Sequence, residues 1–337
     1  MSAALGPLLL AFVASLGTAG VVLRLRILDH PNARSNHANP TPRGGGLGIV
    51  IGVFAALGLI EIHVPQEAAA LAGLALCALL AAALGFLDDL YTLSERLKFA
   101  CLTLISLALA GMAGPVTELG VELPWLVGWL GSALFVFTLA NTVNFMDGSD
   151  GLMAATLIPA ALALGFLAPG ATGLAALALA AALAGFAVWN APLLSARGRL
   201  FSGDVGSLGA SVILAGLALI WASTAGAGTV WLVPLLVLPL LGDVLLTMAA
   251  RVRAGRSPFV AHRAHAYQLL IAMGGSHRKV ALIWGAMSLV CAVLVLVAAA
   301  LPPLAAPVML AVSVLIFARL HHFWRRRAQA AGLDTCQ

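Results

Sequence analysis

Charged residues are scarce in this sequence. Only 9% of its 337 residues are Asp, Glu, Lys or Arg, whereas a soluble domain carries about 25%. Because 62% of the residues are hydrophobic and the mean hydropathy is +1.04, a water-soluble fold of this length could not bury its apolar surface. The composition therefore excludes a soluble domain and indicates a protein whose helices lie in lipid.

Cysteine is also scarce, and its four positions have no metal-ligand spacing. Three of the four lie in apolar runs, where cysteine behaves as a small buried hydrophobic residue rather than as part of a disulfide set. The sequence lacks Walker A, dinucleotide-binding, zincin and Ser-His-Asp signatures. The sequence pI of about 9.5 would suggest nucleic acid in a soluble protein. Here we expect no nucleic-acid partner, because the distribution of charge matters more than its total.

Long apolar runs are abundant, and each membrane helix needs about 20 such residues. The runs predict an all-α polytopic membrane protein with about 11 transmembrane helices in a single domain over residues 1–337. Positive charges follow the first run rather than precede it, so we expect a retained span and not a cleaved signal. The runs are 3–23, 45–62, 68–87, 99–114, 124–145, 152–169, 172–190, 205–222, 228–249, 280–300 and 304–320.

All eighteen Lys and Arg residues fall on one side of these eleven spans. The positive-inside rule makes that side cytoplasmic, with the N-terminus periplasmic and the C-terminus cytoplasmic. Most of the aspartates lie at or near the same ends of the spans. The sequence thus predicts an active-site cleft on the cytoplasmic face of a bacterial inner membrane. The opposite loops carry only acidic charges, at Glu61, Glu67, Glu118 and Glu122.

The first chemical motif is Asp88-Asp89, in GFLDDLYTLSERLKF. Adjacent carboxylates raise one another's pKa and favour a metal ion or a shared proton. Arg96 and Lys98 follow shortly after and offer cations. A solvated helix end is the plainer interpretation, but ionisable groups at a membrane helix are functional by default.

The second motif is NTVNFMDGSDGL, in which Asn141, Asn144 and Asp147 recur every three residues. Asp150 extends this stripe if the helix continues that far. Polar side chains along one face at the end of an apolar span predict a protein-lined or water-filled cavity rather than lipid. A simple turn between two spans would not need two asparagines upstream of it.

The third motif is FSGDVGSLG, where Asp204 lies among glycines at the start of a span. A glycine-rich backbone at a helix N-terminus can offer N–H groups to phosphate, and the carboxylate can hold Mg²⁺. An N-cap aspartate with glycines that permit close packing is the structural alternative.

Two basic segments complete the set. HRAHAYQLL carries His262, Arg263 and His265, which suit phosphate, sugar hydroxyls or proton transfer; a zinc site is poorly supported because no third ligand accompanies the histidines. LDHPNARSNHANPTPRGGGLG carries Arg34, His37 and Arg43 in a loop shaped by Pro and Gly. For both segments, a basic loop resting on anionic headgroups is the alternative.

Together and in this order, the Asp-Asp pair, NxxNFxDGxDGL, GDxGSL and PTPRGGG resemble the polyprenyl-phosphate N-acetylhexosamine-1-phosphate transferases, the MraY/WecA superfamily or glycosyltransferase family 4. The resemblance implies a helical membrane fold with a cytoplasmic cleft and a Mg²⁺-dependent exchange that releases UMP, with Mn²⁺ as a substitute metal. It implies UDP-N-acetylhexosamine and undecaprenyl phosphate as substrates. Membrane lipids and a homodimer are further expected partners.

The motif match also assigns roles to residues. It implies that Asp204 is the main Mg²⁺ ligand, joined by Asp88, and that Asp88 and Asp89 handle the lipid phosphate. Asp88, Asp89 and Asp204 are therefore the expected catalytic residues. The expected substrate contacts are Arg43, Lys98, Asn144, Asp147, Asp150, Phe201, His262, Arg263 and His265. Phe201 matches an aromatic residue that stacks on uracil, and Lys98 matches a phosphate-binding lysine.

HRAHAYQ departs from the family's HLHHRL-like form and is similar to the WbpL-like branch that primes O-antigen and related surface glycans. The identity of the sugar and the separate roles of the two histidines therefore stay open. So does the choice between direct attack, with Asp88 as base, and a covalent aspartyl-phosphate. A transporter or lipid flippase would instead place polar residues at mid-membrane and on both faces. The CDP-alcohol phosphotransferases expect a DGxxAR-type run, which DGSDGL lacks.

Overall fold

The computed structural model describes residues 2–26, 28–29, 40–63, 68–193, 197–257, 260 and 262–336. Within these ranges the chain forms thirteen helices and one two-stranded antiparallel hairpin, so the predicted all-α polytopic membrane fold is confirmed. Arg34 and His37 lie outside the described residues.

The helices are α1 Ser2–Leu25, α2 Leu47–His63, α3 Ala68–Tyr91, α4 Glu95–Ala113, α5 Trp125–Met146, α6 Leu152–Leu167, α7 Gly170–Asn190, α8 Asp204–Thr224, α9 Thr229–Leu236, α10 Leu238–Arg253, α11 Ala266–Ala272, α12 His277–Ala299 and α13 Ala305–Ala330. The hairpin pairs β1 Leu28–Asp29 with β2 Thr41–Pro42.

Every predicted apolar run coincides with a helix, but not every helix is long enough to cross a membrane by itself. In the described part of the chain, eight helices qualify by length and composition, or nine if α9 and α10 form one span. Helices α2 and α6 are apolar but have only 17 and 16 residues. The count of eleven crossings and their orientation stay predictions.

The ninth run, residues 228–249, is not one continuous helix. It breaks at Val237 into α9 and α10, which meet at an angle of 75°. Pro234 lies inside α9 and Pro239 at the start of α10. Because proline lacks a backbone N–H and its ring clashes with the preceding turn, this pair accounts for the break.

Helix α8 is the centre of the bundle. Every residue from Val205 to Ala222 is buried, and α8 packs against α3, α5, α2, α7 and α4. A helix that is apolar on all sides is expected in such a position. On the outside, leucine, valine and phenylalanine side chains of α1, α3, α5, α12 and α13 are exposed, as a lipid-facing surface requires.

The bundle brings one set of helix ends together. The C-terminal ends of α3, α5 and α7 lie beside the N-terminal ends of α2, α8 and α12. The alternation of spans predicts this convergence, and all chemical motifs except the HRAHAYQ loop lie on these ends. Helix α13 runs about ten residues beyond its predicted end at 320, because its alanines and arginines are good helix formers.

Candidate active site

Asp88 lies in the last turn of α3 and faces the first turn of α4. Lys98 Nζ donates to Asp88 Oδ2 at 2.9 Å and lies 3.8 Å from Asp204 Oδ2. The Leu93 N–H donates to Asp88 Oδ1 at 2.7 Å, which fixes the carboxylate against the turn between the two helices. The Asp88 and Asp204 carboxyl groups are also within hydrogen-bonding reach of each other. One ammonium group thus lies between two carboxyl groups from different helices.

Asp89 has a different environment from its neighbour. Its Oδ2 accepts from the Val205 N–H at 3.4 Å, at the N-terminus of α8. An Arg43 nitrogen donates to the Asp89 carbonyl, and another lies 4.0 Å from Asp89 Oδ1. A carboxylate near a helix N-terminus interacts favourably with the helix dipole. Asp89 therefore ties α3 to α8 and to the segment before α2.

Two glycines allow α3 and α8 to meet this closely. A Cβ atom on Gly85 would lie 2.3 Å from the carbonyl carbon and oxygen of Asp204, and one on Gly203 would lie 2.4 Å from Asp89 Oδ2. Gly203 also has a positive φ of 72°, which disfavours other residues. Gly85 of the first motif therefore permits the close approach of α3 to the α8 backbone, and Gly203 of the third leaves room for the Asp89 carboxylate.

The stripe on α5 reaches the same site. Asn144 Nδ2 donates to Ser207 Oγ at 2.9 Å, and the Asn144 side chain also bonds to the Asp204 carboxyl group. Ser202 Oγ donates to Asp147 Oδ2. Asn144 and Asp147 thus face α8 and the segment before it, as the three-residue spacing predicts. Asn141 instead donates to the Phe137 carbonyl of its own helix.

Asp147 caps the C-terminal end of α5 in a crowd of carboxylates. Burial is the largest cause that raises the pKa of Asp147, to about 8, and the charges of Asp204, Asp89 and Asp150 add to it. The Ser202 hydrogen bond opposes this rise. So many acids in one place favour the binding of a cation.

Asp150 departs from the predicted stripe, because α5 ends at Met146 and the chain turns before reaching it. Its side chain is buried and accepts from the Gly198 N–H at 2.9 Å. The Asp150 N–H donates to His277 Nδ1 at 3.1 Å, at the start of α12. Asp150 therefore joins the motif to the loop before α8 and to α12.

Asn190 and His277 belong to the site but were not predicted from the sequence. Asn190 is buried at the end of α7; its Oδ1 accepts from the Gly151 N–H at 2.9 Å, and its Nδ2 donates to the Leu200 carbonyl at 3.0 Å. It thereby connects the second motif to Leu200, the residue just before the third motif. A polar residue at the end of an apolar run, as in VWNAP, was the available signal.

Phe201 is half-buried and lies beside the hairpin. Its N–H donates to the Pro42 carbonyl at 2.8 Å, and its carbonyl accepts from the Gly45 N–H at 2.9 Å. The PTPRGGG segment therefore runs along the FSGD segment, as an added strand would. Stacking of Phe201 on uracil stays a prediction.

The HRAHAYQ loop reaches the site through Tyr267, whose hydroxyl donates to the Phe145 carbonyl at 3.1 Å. Arg263 is exposed and His262 is half-buried. Burial, with the nearby His265 and Arg251, lowers the pKa of His262 to about 3. Since the Ala264 N–H donates to His262 Nδ1 at 3.2 Å, the proton of the neutral ring lies on Nε2. His262 can therefore donate a hydrogen bond at neutral pH but does not act as a cation.

His265 is 4% exposed and faces Asp243 rather than open space. Its Nδ1 lies 3.8 Å from Asp243 Oδ1, and burial lowers its pKa. This placement favours a supporting role for His265 within the loop. Its expected contact with the sugar stays a prediction, as do those of His262 and Arg263.

A basic cavity of about 770 Å³ adjoins the start of the PTPRGGG segment and the loop before α8. It lies between the ends of α1 and α7, and none of the clustered acids lines it. Arg199 stacks over the Trp189 ring at 5.5 Å along its wall. The lining consists of Gly20, Leu23, Arg24, Arg26, Leu28, Pro40, Thr41, Pro42, Trp189, Gly198 and Arg199.

The acids of this site supply oxygen donors of the kind that Mg²⁺ binds. Among the described residues, no three His, Cys, Asp or Glu side chains form a group able to hold a metal by themselves. Mg²⁺, however, usually takes one or two carboxylates and completes its shell with water and substrate phosphates. Asp88 and Asp204 offer such a pair of oxygen donors, and Lys98 already places one positive charge beside both. The residues fit Mg²⁺.

Comparison with known proteins gives a family match and a set of relatives. The model of Glycosyl transferase family 4 matches residues 71–222. This segment runs from α3 to α8 and contains both acid-bearing helices, Lys98 and the Asn144 stripe. Arg43 and the HRAHAYQ loop lie outside it.

The relatives are polyprenyl-phosphate N-acetylglucosamine phosphotransferases. Decaprenyl-phosphate N-acetylglucosaminephosphotransferase of Mycobacterium leprae is 28% identical over 79% of this chain and 76% of its own. Undecaprenyl-phosphate alpha-N-acetylglucosaminyl 1-phosphate transferase of Yersinia pestis is 28% identical over 77% and 73%. The protein of that name in Escherichia coli is 27% identical over the same shares. The chain is thus similar to sugar-phosphate transferases that act on polyprenyl phosphate.

Proposed function

We propose that this chain transfers an N-acetylhexosamine-1-phosphate from a UDP-sugar to undecaprenyl phosphate. UMP is released, and a polyprenyl-diphosphate-sugar remains. The observation that carries this proposal is the position of Lys98 between Asp88 and Asp204, where α3, α4 and α8 meet. Carboxylates and a cation in contact suit a diphosphate and its metal. The relatives' action on polyprenyl phosphate supports the lipid acceptor.

In the proposed reaction an oxygen of the lipid phosphate attacks the β-phosphorus of the UDP-sugar. A phosphoanhydride forms between the lipid phosphate and the sugar phosphate, and the anhydride to the α-phosphate breaks. Because one phosphoanhydride replaces another, the exchange is near thermoneutral and reversible. The protein therefore has to supply mainly positioning and charge neutralisation.

On the acceptor side, Asp88 serves as base toward the lipid phosphate. Lys98 holds the Asp88 carboxylate by a 2.9 Å hydrogen bond and is close enough to share its charge with an incoming phosphate. Asp89 and Arg43 keep α3 in register with α8. Asp204 and Asp88 are the residues that would hold Mg²⁺ or Mn²⁺, which when bound neutralises the diphosphate.

On the donor side, Asn144 and Asp147 face Asp204 from α5. We propose that they meet the nucleotide-sugar, with Asp150 shaping the turn beside them and Phe201 stacking on uracil. Arg43 and the exposed Arg263 supply positive charge for the diphosphate.

We place this chemistry at the cytoplasmic face of a bacterial inner membrane, since UDP-sugars are cytoplasmic and the charge pattern puts the motifs there. More specifically, we propose that the chain catalyses the first membrane step of O-antigen or related surface-glycan synthesis, as a WbpL-like enzyme does. HRAHAYQ is the sequence feature that favours it.

A transporter or flippase with a charged cytoplasmic cavity is the rival function. It would need charged groups along a path through the membrane. The contacts of Lys98, Arg43 and His277 with acids all lie at helix ends. The Asp243–His321 contact lies inside the bundle, but Asp243 is completely buried and lines no open path.

The proposal is tested with purified protein, undecaprenyl phosphate and Mg²⁺. A panel of UDP-N-acetylhexosamines is offered in turn, and UMP release is measured. We expect release with at least one donor and none without the lipid phosphate. Failure with every donor would overturn the proposal, provided that the preparation shows a thermal unfolding transition and is therefore folded.

Asp204→Asn tests the metal site in the same assay. The substitution keeps size but removes the charge that Mg²⁺ requires, so turnover should fall at least about a hundredfold. Asp334→Asn, at an exposed aspartate near the C-terminus, is the matched control and should leave turnover unchanged. Near-normal activity of Asp204→Asn at low Mg²⁺ would make Asp204 structural.

A further inference from the structure

Asp243 is a completely buried carboxylate in the second turn of α10, just beyond the break at Val237. Its two oxygens accept from the backbone N–H groups of Ala266, at 2.8 Å, and Tyr267, at 3.2 Å. These are the first two residues of α11. The carboxylate therefore caps the short helix that follows the HRAHAYQ loop and attaches it to α10.

Two further side chains, one on α13 and one on α10, contact the Asp243 carboxyl group. His321 Nε2 of α13 lies 3.4 Å from Asp243 Oδ1, and the Thr247 hydroxyl donates to the same oxygen at 3.3 Å. Arg325 of α13 holds the same loop by donating to the Ala264 carbonyl at 3.1 Å. A buried charge with this many partners fixes geometry, because each lost partner would leave a polar group unsatisfied.

Tyr267 connects the start of α11 to the second motif. Its ring is 1% exposed, and its hydroxyl donates to the Phe145 carbonyl at 3.1 Å. The same hydroxyl accepts from the backbone N–H of Gly148. Phe145 and Gly148 lie on either side of Asp147, so one hydroxyl holds the turn that presents this carboxylate.

We infer that Asp243 and Tyr267 are positioning residues for donor binding. Asp243 fixes the start of α11, and the Tyr267 hydroxyl fixes the backbone on both sides of Asp147. The HRAHAYQ loop and the NFMDG turn are thereby held at a fixed distance from each other, and the donor sugar-diphosphate binds between them. This role rests on the proposed function, and neither residue touches the reacting atoms.

A purely structural role is the competing explanation, since buried polar groups also stabilise a fold. Tyr267→Phe separates the two, because it keeps the packed ring and removes only the hydroxyl. The chain has one other tyrosine, Tyr91, which is 71% exposed. Tyr91→Phe is therefore a matched control for loss of a hydroxyl.

We expect Tyr267→Phe to raise the KM for the UDP-sugar about tenfold, because two hydrogen bonds to the turn are lost. The KM for undecaprenyl phosphate should stay at the wild-type value, and Tyr91→Phe should change neither KM. An unchanged UDP-sugar KM, or an equal rise in both KM values, would overturn the inference.

Backbone hydrogen exchange gives a readout that needs no activity. Tyr267→Phe should speed exchange at residues 147–151 while the rest of α5 keeps its protection. Asp243→Asn should speed exchange at Ala266 and Tyr267. Unchanged exchange in Tyr267→Phe would overturn the inference even if no UDP-sugar were turned over. Wild-type inactivity with faster exchange in the variant would count against the proposed function alone.

Discussion

Lys98 Nζ donates to Asp88 Oδ2 at 2.9 Å, from the first turn of α4 to the last turn of α3. The two residues are ten positions apart, and the Ser94 N-cap of α4 sets the turn between them. The contact neutralises one carboxylate of a crowded group and leaves the ammonium 3.8 Å from Asp204. Asp88 and Asp204 therefore depend on the same cation.

Lys98→Met should lower kcat/KM for transfer by roughly 10- to 150-fold, which corresponds to one charge-assisted hydrogen bond. Methionine keeps the apolar stem and removes the charge. The chain's other lysine, Lys279, is exposed in the first turn of α12, so Lys279→Met is the matched control. UMP release measures both variants. Equal activity of the two variants would show that Lys98 does not contribute to the active site.

Gly85→Ala should abolish most turnover while the bundle still folds. A Cβ atom at this position meets the Asp204 backbone at 2.3 Å, and backbone cannot rotate away. Helix α3 must then move away from α8, which lowers the stability of the fold by about 1–3 kcal/mol. The acids on the two helices then separate. Gly131→Ala in α5 is the control, because its Cβ would meet nothing within 4 Å. Wild-type turnover in Gly85→Ala would show that the close approach is dispensable.

Much of the site could be predicted because its chemistry lies at helix ends. Apolar runs gave the helices, and their alternation placed Asp88, Asp147 and Asp204 at one end of the bundle. The three-residue spacing of Asn144 and Asp147 correctly predicted a shared face. Asp150 left that face because glycines follow Met146 and the helix stops.

The remaining features depend on contacts between distant segments. Nothing local in the sequence distinguishes Asn190 from any polar residue at the end of a span, yet it joins Gly151 of the second motif to Leu200, just before the third. Asp243 reads as one more carboxylate near a helix end, although it caps α11 across more than twenty residues. The two prolines mark the break near Val237, but its 75° angle also depends on packing, since α9 and α10 both contact α12 and α13 while α9 also contacts α8 and α10 also contacts α5.

The orientation of the chain is predicted by its one-sided Lys and Arg set. Reporter fusions near residues 65, 118, 170, 225 and 303 should report the periplasm. Fusions near 35, 94, 197 and 260 should report the cytoplasm. A cytoplasmic signal from the loop at 118 would exclude the eleven-span arrangement, and so would opposite signals from 94 and 197, whose neighbouring helices share the site.

The pH dependence of stability should contain a contribution from His262. Burial lowers its pKa to about 3 in the folded chain, whereas an unfolded histidine has a pKa of about 6.5. Between these values the unfolded chain binds more protons, so His262 makes stability fall as pH falls. Asp147 acts in the opposite direction, because its raised pKa makes the folded chain bind the extra proton between about pH 4 and pH 8.

The two contributions are separated by comparing a variant with the wild type at each pH. His262→Gln removes the histidine term, so its unfolding temperature relative to wild type should rise by roughly 2–4 °C between pH 7 and pH 5. His322→Gln, at an exposed position of α13, is the matched control for loss of an imidazole. Thermal unfolding in detergent, without Mg²⁺ or substrate, measures both. A constant difference for His262→Gln would mean that folding does not lower the pKa of His262, contrary to the buried, hydrogen-bonded ring described above.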